Sequence, residues 1–140
     1  MRHREPTSKI MKKDPVTINV TTKISEAAQL FVEHKLHHLP VVSGPKLIGM
    51  FSYNDLLRMD FSSTFNQDSR QVLAVLDVEK SMEEVMTTDL KVLKSTSTIR
   101  EAAELLSSGE FHSIPIVDDT NNLLGIVTST DLIRYLAELY

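Results

Sequence analysis

The sequence predicts a mixed α/β (α+β) fold in which one unit of about fifty residues is used twice. This prediction rests on three pairs of segments. In each pair, a segment of the first half is similar in sequence to a segment of the second half. The pairs are ISEAAQLF (24–31) with IREAAELL (99–106), HHLPVV (37–42) with HSIPIV (112–117), and LIGMFSYNDLLR (47–58) with LLGIVTSTDLIR (123–134). Each copy therefore predicts the same order of local elements.

The first element common to both copies is an amphipathic helix. Its apolar residues follow the spacing i, i+3, i+4 and i+7, which places them on one helical face. They are Ile24, Ala27, Ala28, Phe31 and Val32 in the first copy, and Ile99, Ala102, Ala103 and Leu106 in the second. Gly109 follows the second helix, where a left-handed terminating residue is common, and His34 holds the corresponding place in the first.

Two short strands and a second helix complete each copy. LPVV or IPIV reads as a strand opened by proline, and LIGMF or LLGIV reads as the next strand after a turn. SYNDLLR and TSTDLIRYLAELY then begin helices, the latter with an apolar stripe formed by Leu132, Ile133, Leu136, Leu139 and Tyr140. With a first short strand at VTINV or KVLKS, each copy is β-α-β-β-α. We expect the two sheets to pack face to face about a pseudo-twofold axis, with the helices outside.

The repeat also sets the predicted domain boundaries. Residues 1–59 form the first repeat, residues 60–80 a partly helical linker, and residues 81–140 the second repeat. Asp68 or Ser69 is placed to cap a linker helix that carries Val72, Leu73 and Leu76. Ser81 and Glu84 have the spacing of a capping box at the start of the second repeat.

Composition limits the classes of protein that fit. The chain has 140 residues, a formal net charge of −4 and no cysteine, so disulfides, thiolate metal sites and a cysteine nucleophile are excluded. No apolar run is long enough for a membrane span and no secretory signal is recognisable, so we expect a cytoplasmic protein without a membrane association. The acidic balance argues against nucleic-acid binding.

The tandem of these motifs resembles a pair of CBS domains, the Bateman module. The resemblance covers nearly the whole chain and rests on the segments KIMKKDPVTI, ISEAA, HHLPVV and LIGMFSYND with their echoes EVMTTDLKVL, IREAA, HSIPIV and LLGIVTSTD. It implies a regulatory, non-catalytic module whose clefts between the repeats bind an adenosine-containing ligand such as AMP, ADP, ATP or S-adenosylmethionine. It also implies a homodimer of such pairs that acts on an unknown partner protein, and no cofactor beyond the regulatory ligand.

The resemblance assigns candidate ligand-binding residues by motif position. In the family each cleft takes its first strand and the residues before the proline from one repeat, and the Ser/Thr-x-x-Asp motif from the other. One candidate cleft is formed by Asp14, Pro15, Val16, His37, His38, Thr128 and Asp131. The other is formed by Asp89, Leu90, Lys91, His112, Ser113, Ser52 and Asp55.

The chemistry of these residue types suits a nucleotide. An ionised aspartate accepts hydrogen bonds only, so the carboxylates of Asp55 and Asp131 suit the hydroxyl groups of a ribose. Ser52 and Thr128 stand at helix starts that favour an anion such as phosphate. The histidines are further phosphate donors, especially when protonated. A purely local alternative is that Ser/Thr and Asp cap their own helices.

Two other interpretations are weaker. His34, His37 and His38 have a spacing that would group three imidazoles on a continuous helix, but the helix is expected to end near His34, and the second copy retains only His112. No nucleophile elbow, P-loop or HExxH motif is present to organise catalysis. The remaining alternative to a ligand sensor is a ligand-independent dimerisation and interaction module.

Overall fold

The computed structural model describes residues 4–60 and 69–140, which form two compact units. The unit that contains the first repeat comprises Val16–Gly44 with residues 48–60 and 69–89. The unit that contains the second repeat comprises residues 4–15, Pro45–Leu47 and Leu90–Tyr140. We call them the first-repeat unit and the second-repeat unit. Each unit takes up the N-terminal segment of the other repeat.

The helices predicted from periodicity are present in both repeats. In chain order the elements are β1 (Lys12–Lys13), α1 (Ile24–His34), β2 (His38–Ser43), β3 (Lys46–Ser52), α2 (Tyr53–Asp60), α3 (Ser69–Glu79), α4 (Met82–Val85), β4 (Leu93–Lys94), α5 (Ile99–Leu106), β5 (Ser113–Val117), β6 (Leu123–Thr128) and α6 (Ser129–Leu139). Ser81 and Glu84 form the expected capping box at α4. Capping of α3 by Asp68 or by the Ser69 side chain falls outside the described residues.

The second-repeat unit contains a four-stranded sheet in the order β1-β6-β5-β4. The strands β5 and β6 form an antiparallel hairpin, and β4 adds to β5 in parallel. On the other side, β1 pairs antiparallel with β6, with Lys12 opposite Ile126 and Lys13 opposite Gly125. The sheet is thus one strand wider than the three-stranded sheet expected from the repeat.

The first-repeat unit has the same pattern in a shorter form. Its β2–β3 hairpin is flanked by two single bridges, one parallel from Ile18 to Val41 and one antiparallel from Thr87 to Met50. The prediction of a first strand over VTINV is therefore wrong, because only Ile18 of that segment pairs. A turn ends the pairing, since the Asn19 side chain accepts the backbone N–H of Thr21 at 2.9 Å.

The prolines occupy the third position of their strands, and the prediction that they open the strands is wrong. Pro115 lies opposite Ile126 inside β5, although β5 has a neighbour on each side. Pairing with β4 begins one residue later, where Leu93 lies opposite Ile116. The missing N–H of Pro115 therefore falls where that side of the strand is still unpaired, which is the condition under which a sheet tolerates proline.

The two amphipathic helices end differently. Gly109 is left-handed as expected, with φ 76°, but in the first repeat the left-handed residue is Lys35, with φ 54°, and His34 is the last helical residue. The hydroxyls of Ser107 and Ser108 donate to carbonyls three residues earlier, at 2.7 and 3.0 Å, and close α5 early. Helix α1 lacks serine at the corresponding positions and so runs further before it stops.

The turn between β5 and β6 is built around one carboxylate. Asp118 accepts the backbone N–H groups of Asn122 and Thr120, both at 2.9 Å, while Asn121 adopts φ 67°. The hydrogen bond from the Asn122 backbone, together with those from Thr120, holds the pKa of the Asp118 carboxyl below its ordinary value. This turn accommodates the extra residue by which the second copy exceeds the first.

Each unit has its own buried apolar cluster. In the first-repeat unit, Phe31 and Phe51 stack with ring centroids 5.8 Å apart, and α3 adds Val72 and Leu76 to the cluster. The cluster of the second-repeat unit consists of Ala102, Leu106, Ile114, Ile116 and Val127. The predicted apolar stripes of α1, α3 and α5 therefore supply core residues, but Val32 of the α1 stripe is 77% exposed and its prediction is wrong.

Helix α3 is fixed to α1 by a side chain that the sequence did not single out. The two oxygens of Asp77 accept the backbone N–H of Ser25 at 2.9 Å and its hydroxyl at 2.5 Å. Ser25 is the second residue of α1, so Asp77 satisfies one of the backbone donors that a helix start leaves unpaired. The helical part of the linker is thereby part of the first-repeat unit.

A glycine at the same place in β3 and β6 permits the outer pairing. A Cβ added at Gly125 would lie 2.7 Å from the backbone oxygen of Lys12, and one added at Gly49 would lie 2.7 Å from Sδ of Met86 and 3.1 Å from the Thr87 oxygen. Both distances at 2.7 Å are shorter than any normal carbon contact. The repeated glycine is thus explained by a close approach of backbone and not by a turn.

We expect Gly125→Ala to destabilise the chain more than Gly49→Ala. The obstacle at Gly125 is backbone and must move, at a cost of about 1–3 kcal/mol, whereas the nearest atom at Gly49 belongs to a flexible methionine. Chemical denaturation of both variants measures the difference. Gly44→Ala is unsuitable as a control because Gly44 has φ 59°, so Ser43→Ala on the same exposed turn is used instead. Equal costs for the two variants would contradict this explanation.

Candidate functional site

The Ser/Thr-x-x-Asp motifs form capping boxes at the starts of α2 and α6. Asp55 Oδ2 accepts the backbone N–H of Ser52 at 2.9 Å, and Ser52 Oγ accepts the N–H of Asp55 at 3.1 Å. In the second repeat the two corresponding distances between Thr128 and Asp131 are 2.8 and 3.2 Å. The local capping interpretation is therefore confirmed in both copies.

Each capping carboxylate keeps its second oxygen for an arginine. Asp55 Oδ1 accepts from Arg58, and Asp131 Oδ1 accepts from Nη1 of Arg134 at 3.4 Å. The carboxylates are largely buried, with 8% and 17% of the side chain exposed, whereas the arginines are 74% and 66% exposed. Sequence reasoning missed these arginines even though both occur in the repeated segments NDLLR and TDLIR.

The backbone of the predicted histidines contributes to the same helix starts. The carbonyl of His37 accepts the N–H of Tyr53 at 2.8 Å, and the carbonyl of His112 accepts the N–H of Ser129 at 3.0 Å. The His37 ring packs edge-on against Tyr53 with centroids 6.0 Å apart. The N–H groups of Tyr53, Asp55, Ser129 and Asp131 are thus already engaged, which weakens the expectation that the helix starts bind phosphate by themselves.

The second-repeat unit contains further predicted residues besides Thr128 and Asp131. Asp14 follows β1 in an exposed position with φ 49°, a left-handed conformation that aspartate adopts more readily than most residues. Ser113 is buried, and it lies directly opposite Thr128 in the β5–β6 ladder. Pro15, Leu90, Lys91 and His112 belong to the same unit.

The first-repeat unit contains the other six of the fourteen predicted residues. His38 opens β2 and is half-buried, Val16 packs against the apolar cluster, and Asp89 is exposed near the end of the unit. Each unit therefore holds residues from both candidate clefts. The grouping of these residues into two complete clefts stays a prediction.

A pocket of about 360 Å³ lies at Asp55 within the first-repeat unit. It is lined by Asp55, Arg58, Met59, Lys80, Glu84 and Val85. A second pocket of about 380 Å³ lies against α1 and includes Glu26 and Glu33, but of the predicted ligand-binding residues it includes none. The pocket at Asp55 is therefore the better candidate for a small-molecule site.

Different side chains stand at the corresponding place in the second-repeat unit. Tyr135, which occupies the place of Met59, donates its hydroxyl to Glu5, and Glu5 in turn accepts from Nζ of Lys9 at 2.7 Å. By the repeat, Glu5 corresponds to Lys80. The two copies thus share the capping box and differ in what stands beside it.

Within residues 4–60 and 69–140, no three side chains of the ligand types His, Asp and Glu come together as a metal-binding group. In the same ranges, no helix is both long enough and apolar enough to cross a membrane. His37 and His38 lie beyond the end of α1, so the histidines do not share a helical face.

The fold and the paired caps define a class of protein, namely tandem modules with two similar α+β repeats. The family model of the CBS domain matches residues 8–61 and again residues 82–138. The chain therefore belongs to the CBS domain family, with one domain in each repeat. This confirms the resemblance drawn from the repeated motifs, and the mixed fold class with it.

Similar proteins are found among curated sequences. A homoserine O-acetyltransferase of Methanocorpusculum labreanum is 32% identical over 88% of this chain, which spans 22% of the length of that relative. The uncharacterised protein MJ1426 of Methanocaldococcus jannaschii is 31% identical, with 91% of this chain and 88% of that protein covered. The enzyme name thus belongs to a much longer protein, of which this chain matches one part.

The similar solved structures match this chain over nearly the full length of both chains. CBSX2 in complex with AMP is 26% identical, has a TM-score of 0.81, and is covered over 98% of its length by 96% of this chain. The CBS domain pair of MJ0100, in complex with 5′-methylthioadenosine and S-adenosyl-L-methionine, is 26% identical with a TM-score of 0.78 and the same coverage. Both neighbours are CBS proteins with adenosine-containing ligands.

We expect Ser52→Ala and Thr128→Ala to destabilise the chain by about 1 kcal/mol each, because each removes the hydroxyl that caps a helix start. Urea denaturation of the two variants measures this cost. Ser43→Ala, at an exposed position at the end of β2, is the control and should leave stability unchanged. If neither capping variant lost stability, the capping boxes would not stabilise their helices.

Proposed function

We propose that this chain is a non-catalytic regulatory module that binds an adenosine-containing ligand such as AMP, ADP, ATP or S-adenosylmethionine, and signals its occupancy to a partner protein. The observation that carries the proposal is the buried aspartate in each repeat, fixed by its own helix start and placed within a CBS fold. A carboxylate held in this way loses little freedom when it accepts a ligand hydroxyl, which favours binding.

The geometry of Asp55 and Asp131 supports a role in ribose recognition. One oxygen of each carboxylate is committed to the backbone, and the other is bonded to an arginine that is mostly exposed to solvent. Ion pairs of that kind contribute little to stability, so a pair of ribose hydroxyls can replace the guanidinium at small cost. A hydrogen bond to a charged group is worth about 1.5–3 kcal/mol, which makes these contacts useful for affinity.

The ligand class is supported by the two neighbours bound to AMP and to 5′-methylthioadenosine with S-adenosyl-L-methionine. We propose that the adenosine moiety contacts the first-strand segments and the residues before the prolines, while the aspartates take the ribose. The proposed set is Asp14, Pro15, Val16, His37, His38, Thr128 and Asp131 for one ligand, and Asp89, Leu90, Lys91, His112, Ser113, Ser52 and Asp55 for the other.

The exposed face of α6 supports self-association. Ile133, Leu136 and Tyr140 expose 67%, 54% and 100% of their surface, and their spacing places them on one side of the helix. The other members of the predicted stripe, Leu132 and Leu139, are half-buried and lie beside this row. An exposed apolar row of this kind is typical of an interaction surface. We propose that it pairs two copies of the chain and that ligand occupancy changes this pairing.

The second candidate function is a ligand-independent assembly module, and the same face of α6 favours it. In that case self-association would persist while no adenosine compound binds. The two functions are separated by measuring ligand binding and association independently.

We expect at least one compound among AMP, ADP, ATP and S-adenosylmethionine to raise the thermal stability of the chain. At a free concentration of a hundred times the dissociation constant, a specific ligand stabilises by about 2.7 kcal/mol. Asp55→Ala and Asp131→Ala should each reduce the shift, because each removes a ribose acceptor. The melting temperatures of the two variants without ligand account for the lost caps. The absence of a shift with all four compounds would refute the sensor function.

We expect Leu136→Glu to weaken self-association, because it places a charge in the exposed apolar row of α6. Sedimentation velocity over a range of concentrations measures the effect. Thr130→Glu, at an exposed polar position of the same helix, is the matched control and should leave association unchanged. A wild-type chain that remains monomeric at the highest concentration would contradict the proposed surface.

A further inference from the structure

We infer that Met11 and Met86 form a redox-sensitive switch, in which oxidation of the sulfur by a peroxide releases the outer segment from the sheet of its unit. The outer segments are Lys12–Lys13, which pair with β6, and Thr87, which pairs with β3. The inference does not rest on the proposed function, because it concerns a chemical input that reaches the chain without a ligand site.

The two methionines occupy the same place in the two repeats, and each contacts the repeated glycine. They are the third residues of the segments KIMKKD and EVMTTD. A Cβ added at Gly125 would lie 2.8 Å from Sδ of Met11, and one added at Gly49 would lie 2.7 Å from Sδ of Met86. In both cases Cγ of the methionine would be 3.1 Å away. Each thioether therefore packs on the strand in the space beside the missing side chain.

Each methionine directly precedes the residues that pair with the hairpin. Met11 leads into β1, and Met86 leads into Thr87. The N–H of Thr87 donates to the carbonyl of Met50 at 2.8 Å, and the carbonyl of Thr87 accepts the N–H of Met50 at 2.9 Å. Met11 and Met86 also pack against the apolar clusters of their units. The outer segment is thus held by the apolar contacts of one methionine as well as by backbone hydrogen bonds.

Oxidation turns this apolar contact into a polar one. With hydrogen peroxide, an S–O bond forms as the O–O bond breaks, the sulfur loses two electrons, and one proton moves to the leaving hydroxide, which departs as water. The sulfoxide oxygen needs a hydrogen bond or solvent, and its burial without either is costly. Because the sulfur faces a close-packed strand, the side chain must turn outward. Sulfoxide reductases restore the thioether, so the change is reversible.

Solvent access favours oxidation of these two sulfurs over the buried ones. Met50 and Met82 are only 6% and 1% exposed, whereas Met11 and Met86 are half-buried. Met59 is also half-buried, but it lies in α2 and outside the outer segments. A peroxide therefore reaches the sulfurs at the outer pairing while the core methionines stay protected.

The two repeats differ in how firmly the outer segment is paired. In the second-repeat unit β1 forms two residue pairs with β6, with Lys12 opposite Ile126 and Lys13 opposite Gly125. In the first-repeat unit the outer segment forms only the single bridge between Thr87 and Met50. Less backbone pairing remains there once the methionine contact is lost. Oxidation of Met86 therefore releases its segment more readily than oxidation of Met11.

The test is to treat the wild-type chain with hydrogen peroxide and to locate the sulfoxides by peptide mass spectrometry. We expect Met11 and Met86 to be oxidised several-fold faster than Met50 and Met82. Amide hydrogen exchange at Thr87, measured by NMR, should accelerate about ten- to a hundredfold, which is the cost of one unsatisfied buried polar group expressed as a rate. Methionine sulfoxide reductases with dithiothreitol should restore the original exchange rate.

Leucine variants locate the effect, since leucine has a similar volume and resists peroxide. Met86→Leu should keep exchange at Thr87 slow after peroxide treatment, whereas Met11→Leu should not. Met59→Leu is the matched control and should leave the response of the wild-type chain unchanged.

Three results would overturn the switch. The first is that the oxidised wild-type chain keeps slow exchange at Thr87. The second is that Met86→Leu responds to peroxide as the wild-type chain does, or that Met11→Leu and Met59→Leu protect Thr87 equally well, because the release would then not be local. The third is that reduction of the sulfoxides leaves the exchange rate raised. The first and third results concern the wild-type chain alone, so they decide the matter even if a variant fails to fold.

Discussion

The close backbone approach at Gly49 and Gly125 is the constraint on which the rest of each unit depends. At Gly125 a side chain would meet the backbone of the outer segment, and at Gly49 it would meet mainly the flexible Met86; Lys12 lies opposite Ile126 in one unit and Thr87 opposite Met50 in the other. Because each outer segment belongs to the start of the other repeat, this contact helps decide which residues make up each compact unit. A single repeat cut from the chain would lack one edge of its sheet and so part of its backbone pairing.

A second feature that both repeats share is the capping box, which places an aspartate carboxylate at the end of each hairpin. The capping box joins the last residue of a strand to the first turn of a helix, and the carbonyls of His37 and His112 satisfy the next donor. The structural role and the proposed binding role do not compete, because they use different oxygens of the carboxylate. The helix start fixes one oxygen, and an exposed arginine bonds to the other, which is the oxygen that the proposed function assigns to a ligand.

The repeat explains how much of this structure could be predicted from the sequence. Helices α1, α5 and α6 and the strands β2, β3, β5 and β6 follow from periodicity and from comparison of the copies, and so do the aspartate caps. The first strand was wrong because Asn19 turns the chain after a single bridge, a side-chain effect that apolar spacing does not encode. The pairing of Lys12–Lys13 with β6, and of Thr87 with β3, was not predicted. Its only signal in the sequence is a glycine within a strand, and such a glycine has several explanations.

Some site residues could not be predicted, because comparing the two copies reveals only the residues that they share. Arg58 and Arg134 are shared, but nothing in their spacing separates a solvent-exposed arginine from one that pairs with a buried carboxylate. Lys80 could not be predicted because the two copies differ at this position. Its counterpart is Glu5, and the linker that precedes Lys80 is not repeated in the chain. A position that differs between the copies is nevertheless informative. Here the charge at one position beside the capping box changes from Lys80 to Glu5.

That difference has a physical consequence for a module made of two repeats. Two identical sites would respond to the same ligand, and occupancy of one would carry no information beyond occupancy of the other. Lys80 and Glu84 line a pocket beside Asp55 in one unit, and Tyr135 bonds to a Glu5 that is paired with Lys9 in the other, so the surroundings of the two capping boxes differ. Because a ligand shifts an equilibrium only through its differential affinity, the proposed sensor can distinguish its two sites only through such differences.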